Sequence, residues 1–227
     1  MSVTLLAMPI WLPVMLITSF AILITSGWPI VYLSKRYVLK NTYKTVMKFR
    51  AMVKDADIIA NRDTIPSAPG KMLNIVIDDT LYTPIGKFLE KAHFTELPQL
   101  LQVLSGTFTL VGNRPMPENM LVAARALYPC LEERFLIPAG ITGPAQIVGR
   151  DHLTDEERLK LEITYSYICQ QSYSPLLDLQ LMFMTVVAPL GFYNNLSADE
   201  VLTLITRHVK SNQREEILRK VDAQLHL

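Results

Sequence analysis

The first 34 residues carry no charged side chain, and the stretch 3–33, VTLLAMPIWLPVMLITSFAILITSGWPIVYL, is apolar or neutral throughout. That length exceeds the roughly 20 residues a helix needs to cross a bilayer. Pro9 and Pro13 interrupt it. A proline inside a helix removes a hydrogen bond and clashes with the preceding turn, so a kink or break is expected at Pro13. About 12 residues precede Pro13, which as helix reach roughly 18 Å, about half of a bilayer. Two arrangements follow from the residues alone. One is a single-pass anchor with a tolerated kink. The other is a re-entrant hairpin that enters as far as Pro13 and leaves through about Gly27. The hairpin requires local partners for the freed carbonyls, because lipid offers no donors. A cleaved signal peptide is not expected, since there is no basic leader and no small-residue cleavage site after a short apolar core.

Lys35, Arg36, Lys40, Lys44, Lys48, Arg50 and Lys54 follow the apolar run with no acid among them. A cationic cluster of this kind marks the cytoplasmic side of a membrane segment. Each near-surface cation adds about 1 kcal/mol of attraction to anionic headgroups. The 227 residues suit one domain with appendages, and the net charge of +1 names no nucleic-acid partner. Cys130 and Cys169 lie far apart, without zinc spacing or a disulfide framework.

Beyond the run, the patterning predicts a mixed α/β, helix-rich fold. Residues 46–59 begin extended and turn helical, and 61–74 form a surface loop with Pro66, Pro69 and Gly70. Short helices are expected over 85–92 and 95–104, the second from the spacing of Leu97, Leu100, Leu101 and Leu104. Residues 108–111 read as a strand, 113–117 as a turn, 118–128 as a helix, 138–143 as a loop and 145–148 as a strand. Thr154 with Glu157, and Ser197 with Glu200, have capping-box spacing. They open helices over 154–172 and from 197 to about 225. Residues 176–190 form a Leu- and Met-rich helix, suited to the core or to a membrane interface. The divisions are 1–34 for the apolar segment, 35–192 for the central domain and 193–227 for an amphipathic helical extension. That extension offers a surface for self-association or for another chain.

Residues 94–115, FTELPQLLQVLSGTFTLVGNRP, resemble the active-site block of the bacterial sugar transferases, the monotopic phosphoglycosyl transferases, which runs roughly LDELPQL then NVL.G.MSLVGPRP. WPIVYLSKR with MKFRAM, and AGITGPAQIVGR, resemble further blocks of that family in the same order. The resemblance implies transfer of a sugar-1-phosphate from a UDP-sugar to polyprenyl phosphate, with Mg²⁺, at the cytoplasmic face of the bacterial inner membrane. It implies exopolysaccharide or O-antigen assembly, and it favours the re-entrant form of the apolar segment, with Pro13 as its break. Glu96 matches a carboxylate associated with the metal. Lys48, Arg50 and Arg114 match cations that hold phosphate, and Gln146 and Arg150 match a motif near the nucleotide. Arg suits phosphate because its fork donates two hydrogen bonds at once.

The sequence departs from the pattern where chemistry is expected. Thr95 replaces the nucleophilic Asp, Glu90 and Leu81 stand in place of arginines, Pro138 replaces a basic residue and Asn113 a proline. A threonine hydroxyl is a weak nucleophile without a base. Its phosphodiester is also far more stable than an acyl phosphate, so a covalent route through Thr95 stalls at the second step. Direct attack by the lipid phosphate, assisted by Glu96, avoids the stall; Asp78 and Asp79 are further candidate carboxylates. The alternative is a pseudoenzyme that binds polyprenyl phosphate, nucleotide sugar or an active relative.

Overall fold

The computed structural model describes residues 2–59, 70, 71, 73, 78–149, 152–187 and 196–225. In chain order the elements are α1 (Ser2–Leu6), α2 (Met8–Ser26), β1 (Val31–Leu39), β2 (Thr42–Phe49), α3 (Ala56–Ile59), α4 (Gly86–Lys91), α5 (Gln99–Leu104), β3 (Thr109–Val111), β4 (Met116–Pro117), α6 (Glu118–Leu127), β5 (Gly140–Thr142), α7 (Pro144–Val148), α8 (Asp155–Ser172), α9 (Pro175–Val187), α10 (Ala198–Thr206) and α11 (Ser211–Leu225). Short 3-10 turns cover Asp79–Leu81, Phe94–Glu96 and Pro129–Phe135. The mixed, helix-rich class expected from the patterning is the class observed.

The apolar segment differs in detail from the expected hairpin. Helix α2 continues through Pro13, and the interruption falls at Ala7, between α1 and α2. Both ends of the segment touch the domain. Helix α1 packs against α5. At the other end Arg50 donates from Nη2 to the carbonyls of Ser26 and Gly27, the latter at 2.8 Å. Thr4, Trp11, Thr18 and Ile22 are buried, a spacing that keeps one face of the segment on the domain. Ile22 packs with Phe49 and Leu89 in a small cluster that also gathers Met15, Phe94 and Leu97. The opposite face exposes Ile10, Leu16, Ile17, Phe20 and Ile24.

Strands β2, β1 and β4 form an antiparallel sheet, with Tyr32 opposite Lys48 and Tyr37 opposite Met116. Asn41 turns the β1–β2 hairpin at a φ of 60°, a left-handed conformation that Asn tolerates. A second, parallel pair joins β3 to β5. Residues 140–142, expected as loop, are therefore a strand, while 145–148, expected as a strand, lie in α7. Pro144 starts α7 because its fixed φ suits the first helical turn.

The main core surrounds α8, whose Leu159, Leu161, Ile163, Tyr165 and Ile168 are almost wholly enclosed. Its Thr154 capping box forms as expected, as does that of Ser197 on α10. The expected single C-terminal helix is two helices. Val201 and Ile205 of α10 and Ile217 and Val221 of α11 are all buried, and both helices pack on α8. In one unbroken helix, positions 201 and 217 point about 160° apart, so only a break lets both faces reach α8. Helix α9 is two-faced. Leu177, Leu181 and Met184 are buried, while Leu176, Leu179, Phe183 and Val186 are exposed.

Candidate active site

The short elements around residues 83–96 are positioned by close backbone packing. A Cβ on Gly86 would lie 1.7 Å from the Ala51 carbonyl oxygen, so only glycine lets α4 approach the end of β2 this closely. Thr83 N–H donates to that same carbonyl at 2.9 Å. His93, at a φ of 59°, then reverses the chain after α4, and the turn Phe94–Glu96 doubles back beside it. This reversal brings Thr95 to Glu90: Thr95 Oγ1 donates to Glu90 Oε2 at 3.1 Å.

Glu96 is the hub of the neighbouring group. Its Oε1 accepts from Lys48 Nζ at 2.9 Å and from Arg114 Nη2 at 2.7 Å. Lys48 comes from β2, and Arg114 from the turn between β3 and β4. Arg134 Nη2, itself fully buried, holds that turn by donating to the Arg114 carbonyl at 3.0 Å. Asn113 Nδ2 lies within hydrogen-bonding distance of the Arg134 and Glu162 carbonyls and of Ser166 Oγ. The residue that replaces an expected proline is thus a buried brace between the turn and α8.

Burial opposes ionisation of Glu96, but Arg114 and Lys48 outweigh it and hold its carboxyl well below the usual range. Burial lowers Lys48 to about 8, against the pull of Glu96 in the other direction. Arg36 is lowered to about 10 by burial and by nearby Arg114. A cation that is both desolvated and beside a like charge gains most when an anion arrives.

Lys48, Glu90, Thr95, Glu96 and Arg114 line one cavity of about 1240 Å³. Arg36 lines it too, and so does Pro29, just past the end of α2. The volume exceeds the range typical of small-molecule pockets, which leaves room for a large ligand. Arg50 lines the same cavity, but its hydrogen bonds go to the α2 terminus. Gln146 lies outside the cavity lining, and its amide atoms are buried without hydrogen-bond partners. Arg150 and most of the 61–74 loop lie outside the described residues. Asp78 accepts from Thr80 in a surface turn and Asp79 pairs with Lys87, so neither faces the cavity.

The sequence places Arg36 only in the headgroup-facing cationic cluster. A period-two signal marks it: Tyr32, Ser34 and Arg36 alternate with the exposed Leu33 and Lys35 along β1. Glu90 departs from the family pattern, but nothing in the sequence shows that it touches Thr95. Among the described residues there is no group of three or more His, Cys, Asp or Glu side chains able to hold a metal ion by themselves. Among the described residues Glu96 Oε2 has no hydrogen-bond partner, and Mg²⁺ is commonly held by one or two carboxylates together with substrate phosphates. The donor set therefore fits a metal that arrives with a nucleotide.

The site is a cationic, carboxylate-centred cavity beside an exposed apolar helix, a charge pattern suited to anions. The family model for the bacterial sugar transferases matches residues 1–191, and the chain belongs to that family. It is 32% identical over 183 residues to the UDP-glucose:undecaprenyl-phosphate glucose-1-phosphate transferase of Klebsiella pneumoniae, covering 80% of this chain and 37% of that protein. It is 31% identical to the undecaprenyl-phosphate glucose phosphotransferase of Komagataeibacter xylinus, over 77% of this chain and 32% of that one. It is 29% identical to the UDP-N-acetylgalactosamine-undecaprenyl-phosphate N-acetylgalactosaminephosphotransferase of Aeromonas hydrophila, over 80% and 40% respectively. The chain thus spans only about a third to two-fifths of the length of these relatives.

Proposed function

We propose that this chain moves a sugar-1-phosphate from a UDP-sugar to a polyprenyl phosphate, in polysaccharide assembly at the cytoplasmic face of a bacterial inner membrane. The observation that carries this reading is the Lys48–Glu96–Arg114 clamp on the wall of a cavity that reaches the foot of the apolar helix. The relatives named above act on UDP-sugars and undecaprenyl phosphate by their names, which supports the same ligand classes here.

The membrane seat is supported by two exposed apolar faces, one on α2 and one on α9. A segment whose two ends both rest on the domain favours lying in one leaflet over crossing it, whether or not the axis bends at Pro13. Carbonyls at the α2 terminus take their hydrogen bonds from Arg50, which removes one cost of ending a helix near lipid.

In the resting site both cations are held by Glu96. A pyrophosphate offers more negative charge than one carboxylate, so Lys48 and Arg114 transfer to it and Arg36 joins them. Glu96 is then free to face a Mg²⁺ carried in with the nucleotide. When bound, that ion supplies Lewis-acid neutralisation of the phosphoryl oxygens. The protein's own contribution is to fix the diphosphate and to place the lipid phosphate at the α2 end of the cavity.

UMP release from UDP-glucose, with undecaprenyl phosphate and Mg²⁺ in bilayer nanodiscs, tests the reading. Arg114→Ala abolishes release and UDP binding if it is right. The missing carboxylate at position 95 favours a second reading, a protein that binds the nucleotide sugar and lipid phosphate without turnover. UDP binding with no UMP release from UDP-glucose or UDP-N-acetylgalactosamine selects that one.

A further inference from the structure

Resting on the transfer reading above, we propose that Glu90 supplies the attacking carboxylate, and that Thr95 positions it. The two residues that depart from the expected pattern at 90 and 95 are hydrogen-bonded to each other on the cavity wall. A carboxylate at position 95 would put its carbon at the γ position, where Thr95 Oγ1 now sits, and its oxygens about 1.2 Å beyond. Glu90 Oε2 lies 3.1 Å from that γ position. The oxygen that Glu90 presents is therefore about 2–4 Å from where the expected nucleophile's oxygens would fall. A carboxylate from five residues upstream thus stands within a few ångströms of the expected one.

The geometry also argues against Thr95 itself. Its residue is only 2% exposed, and its hydroxyl proton is directed at Glu90. Glu90 is partly exposed on the cavity wall, and its Oε1 makes no hydrogen bond. Glu96 has a different task in that reading: it anchors Lys48 and Arg114 at rest and faces the Mg²⁺ once they move to the diphosphate.

The chemistry closes with a carboxylate and not with an alcohol. One Glu90 oxygen attacks the β-phosphorus of the UDP-sugar. A carboxylate O–P bond forms, the P–O bond to UMP breaks, and the electron pair leaves with UMP. The product on Glu90 is an acyl phosphate, a mixed anhydride reactive enough to pass its phosphosugar onward. An oxygen of the polyprenyl phosphate then attacks the same phosphorus. The pyrophosphate bond forms, the Glu90 O–P bond breaks, and its electron pair returns to the carboxylate. No net proton transfer is required, so Thr95 needs only to hold Glu90 Oε2 in place.

The experiment uses the full chain in nanodiscs with undecaprenyl phosphate, Mg²⁺ and UDP-glucose or UDP-N-acetylgalactosamine labelled with ³²P at the β-phosphorus. Glu90→Gln is expected to lower UMP release at least a hundredfold. Thr95→Val lowers kcat about tenfold with little change in KM, and Thr95→Ser restores it. Without acceptor, label stays on a peptide containing Glu90 and is released by neutral hydroxylamine, which cleaves acyl phosphates but not phosphothreonine esters. Glu90→Gln combined with Thr95→Asp regains release, because a carboxylate is returned to the same spot; this guards against misreading a folding defect in the single variant. Undiminished UMP release from Glu90→Gln overturns the assignment while leaving the transfer reading intact. Hydroxylamine-stable label on Thr95 does the same. UDP binding without any UMP release in the parent also overturns it and selects the non-catalytic reading. Absence of UDP binding, measured by calorimetry, removes the functional reading itself.

Discussion

Two carboxylates in this molecule each sit between two cations, and they serve different ends. Glu96 is held by Lys48 and Arg114, with side chains 15–22% exposed and facing the cavity. Glu162 is held by Arg134 and Arg158, with side chains at most 5% exposed. Burial resists ionisation of both carboxyls, and in both the paired cations prevail and hold the group below its ordinary range. The difference lies in access. Glu96 and its partners are open to the cavity, whereas Arg134 is closed off and also fixes the Arg114 carbonyl from beneath. The inner triad is scaffold for the outer one.

Glu162→Gln breaks this comparison most severely. It removes the buried negative charge that Arg134 and Arg158 share, and loss of one partner of a buried pair typically costs about 3–5 kcal/mol. Thermal denaturation is expected to show a large drop in Tm, together with loss of UDP binding as the Arg114 turn loosens. An unchanged Tm would mean that the inner triad is not scaffold.

Arg114→Ala should have the opposite profile. Stability falls by only about 1–2 kcal/mol, since Glu96 keeps Lys48 and the cavity admits water. UDP affinity falls at least a hundredfold by calorimetry. A stability loss as large as that of Glu162→Gln would erase the distinction between the two sites.

Acidity and alkalinity sharpen the contrast. Both carboxyls have folded values below their unfolded ones, so each contributes stability that is present above the ordinary carboxylate range and is lost as pH falls through the folded value. Lys48 behaves oppositely. Its folded value of about 8 lies below its unfolded one, so between the two the unfolded chain binds the extra proton, and Lys48 makes stability rise with pH there. Its charge, however, is lost above about 8 in the ligand-free protein. UDP affinity should therefore decline as pH rises through 8, and Lys48→Arg should flatten that profile. A profile with no such step between pH 7 and 9 would detach Lys48 from the phosphate.

The smallest effect is expected at the exposed pair of Lys160 and Asp222, with side chains 33% and 45% exposed. Asp222→Asn should alter stability by about 0–1 kcal/mol, because solvent screens the pair and side-chain entropy opposes it. A larger loss would mean that α11 depends on this ion pair rather than on the burial of Ile217 and Val221.

Several of these features were legible before any coordinates. The helix α8 and both capping boxes follow from local residue chemistry, and so does the strand before the Arg114 turn. Lys48, Glu96 and Arg114 were marked by motif and do converge. The strand expected at 145–148 failed because four residues, Ala145, Gln146, Ile147 and Val148, are too few to set a period, and Pro144 decided for helix. The C-terminal break was missed because a uniform amphipathic pattern does not record that two faces must reach the same neighbour. Pro13 lies inside α2 without ending it, and a separate interruption falls at Ala7, before which α1 rests on α5.

By itself the chain determined its apolar segment, its cationic flank and the capped starts of α8 and α10, because each depends on neighbours within a few positions. Only the tertiary structure decided that Arg36 turns into the cavity, that Arg50 caps the apolar helix, and that Glu90 meets Thr95. Those outcomes depend on a left-handed residue at His93, a glycine pressed against the Ala51 carbonyl and a sheet that sets β1 beside β4. Such contacts are set by the packing of segments distant in sequence, and no local pattern encodes them.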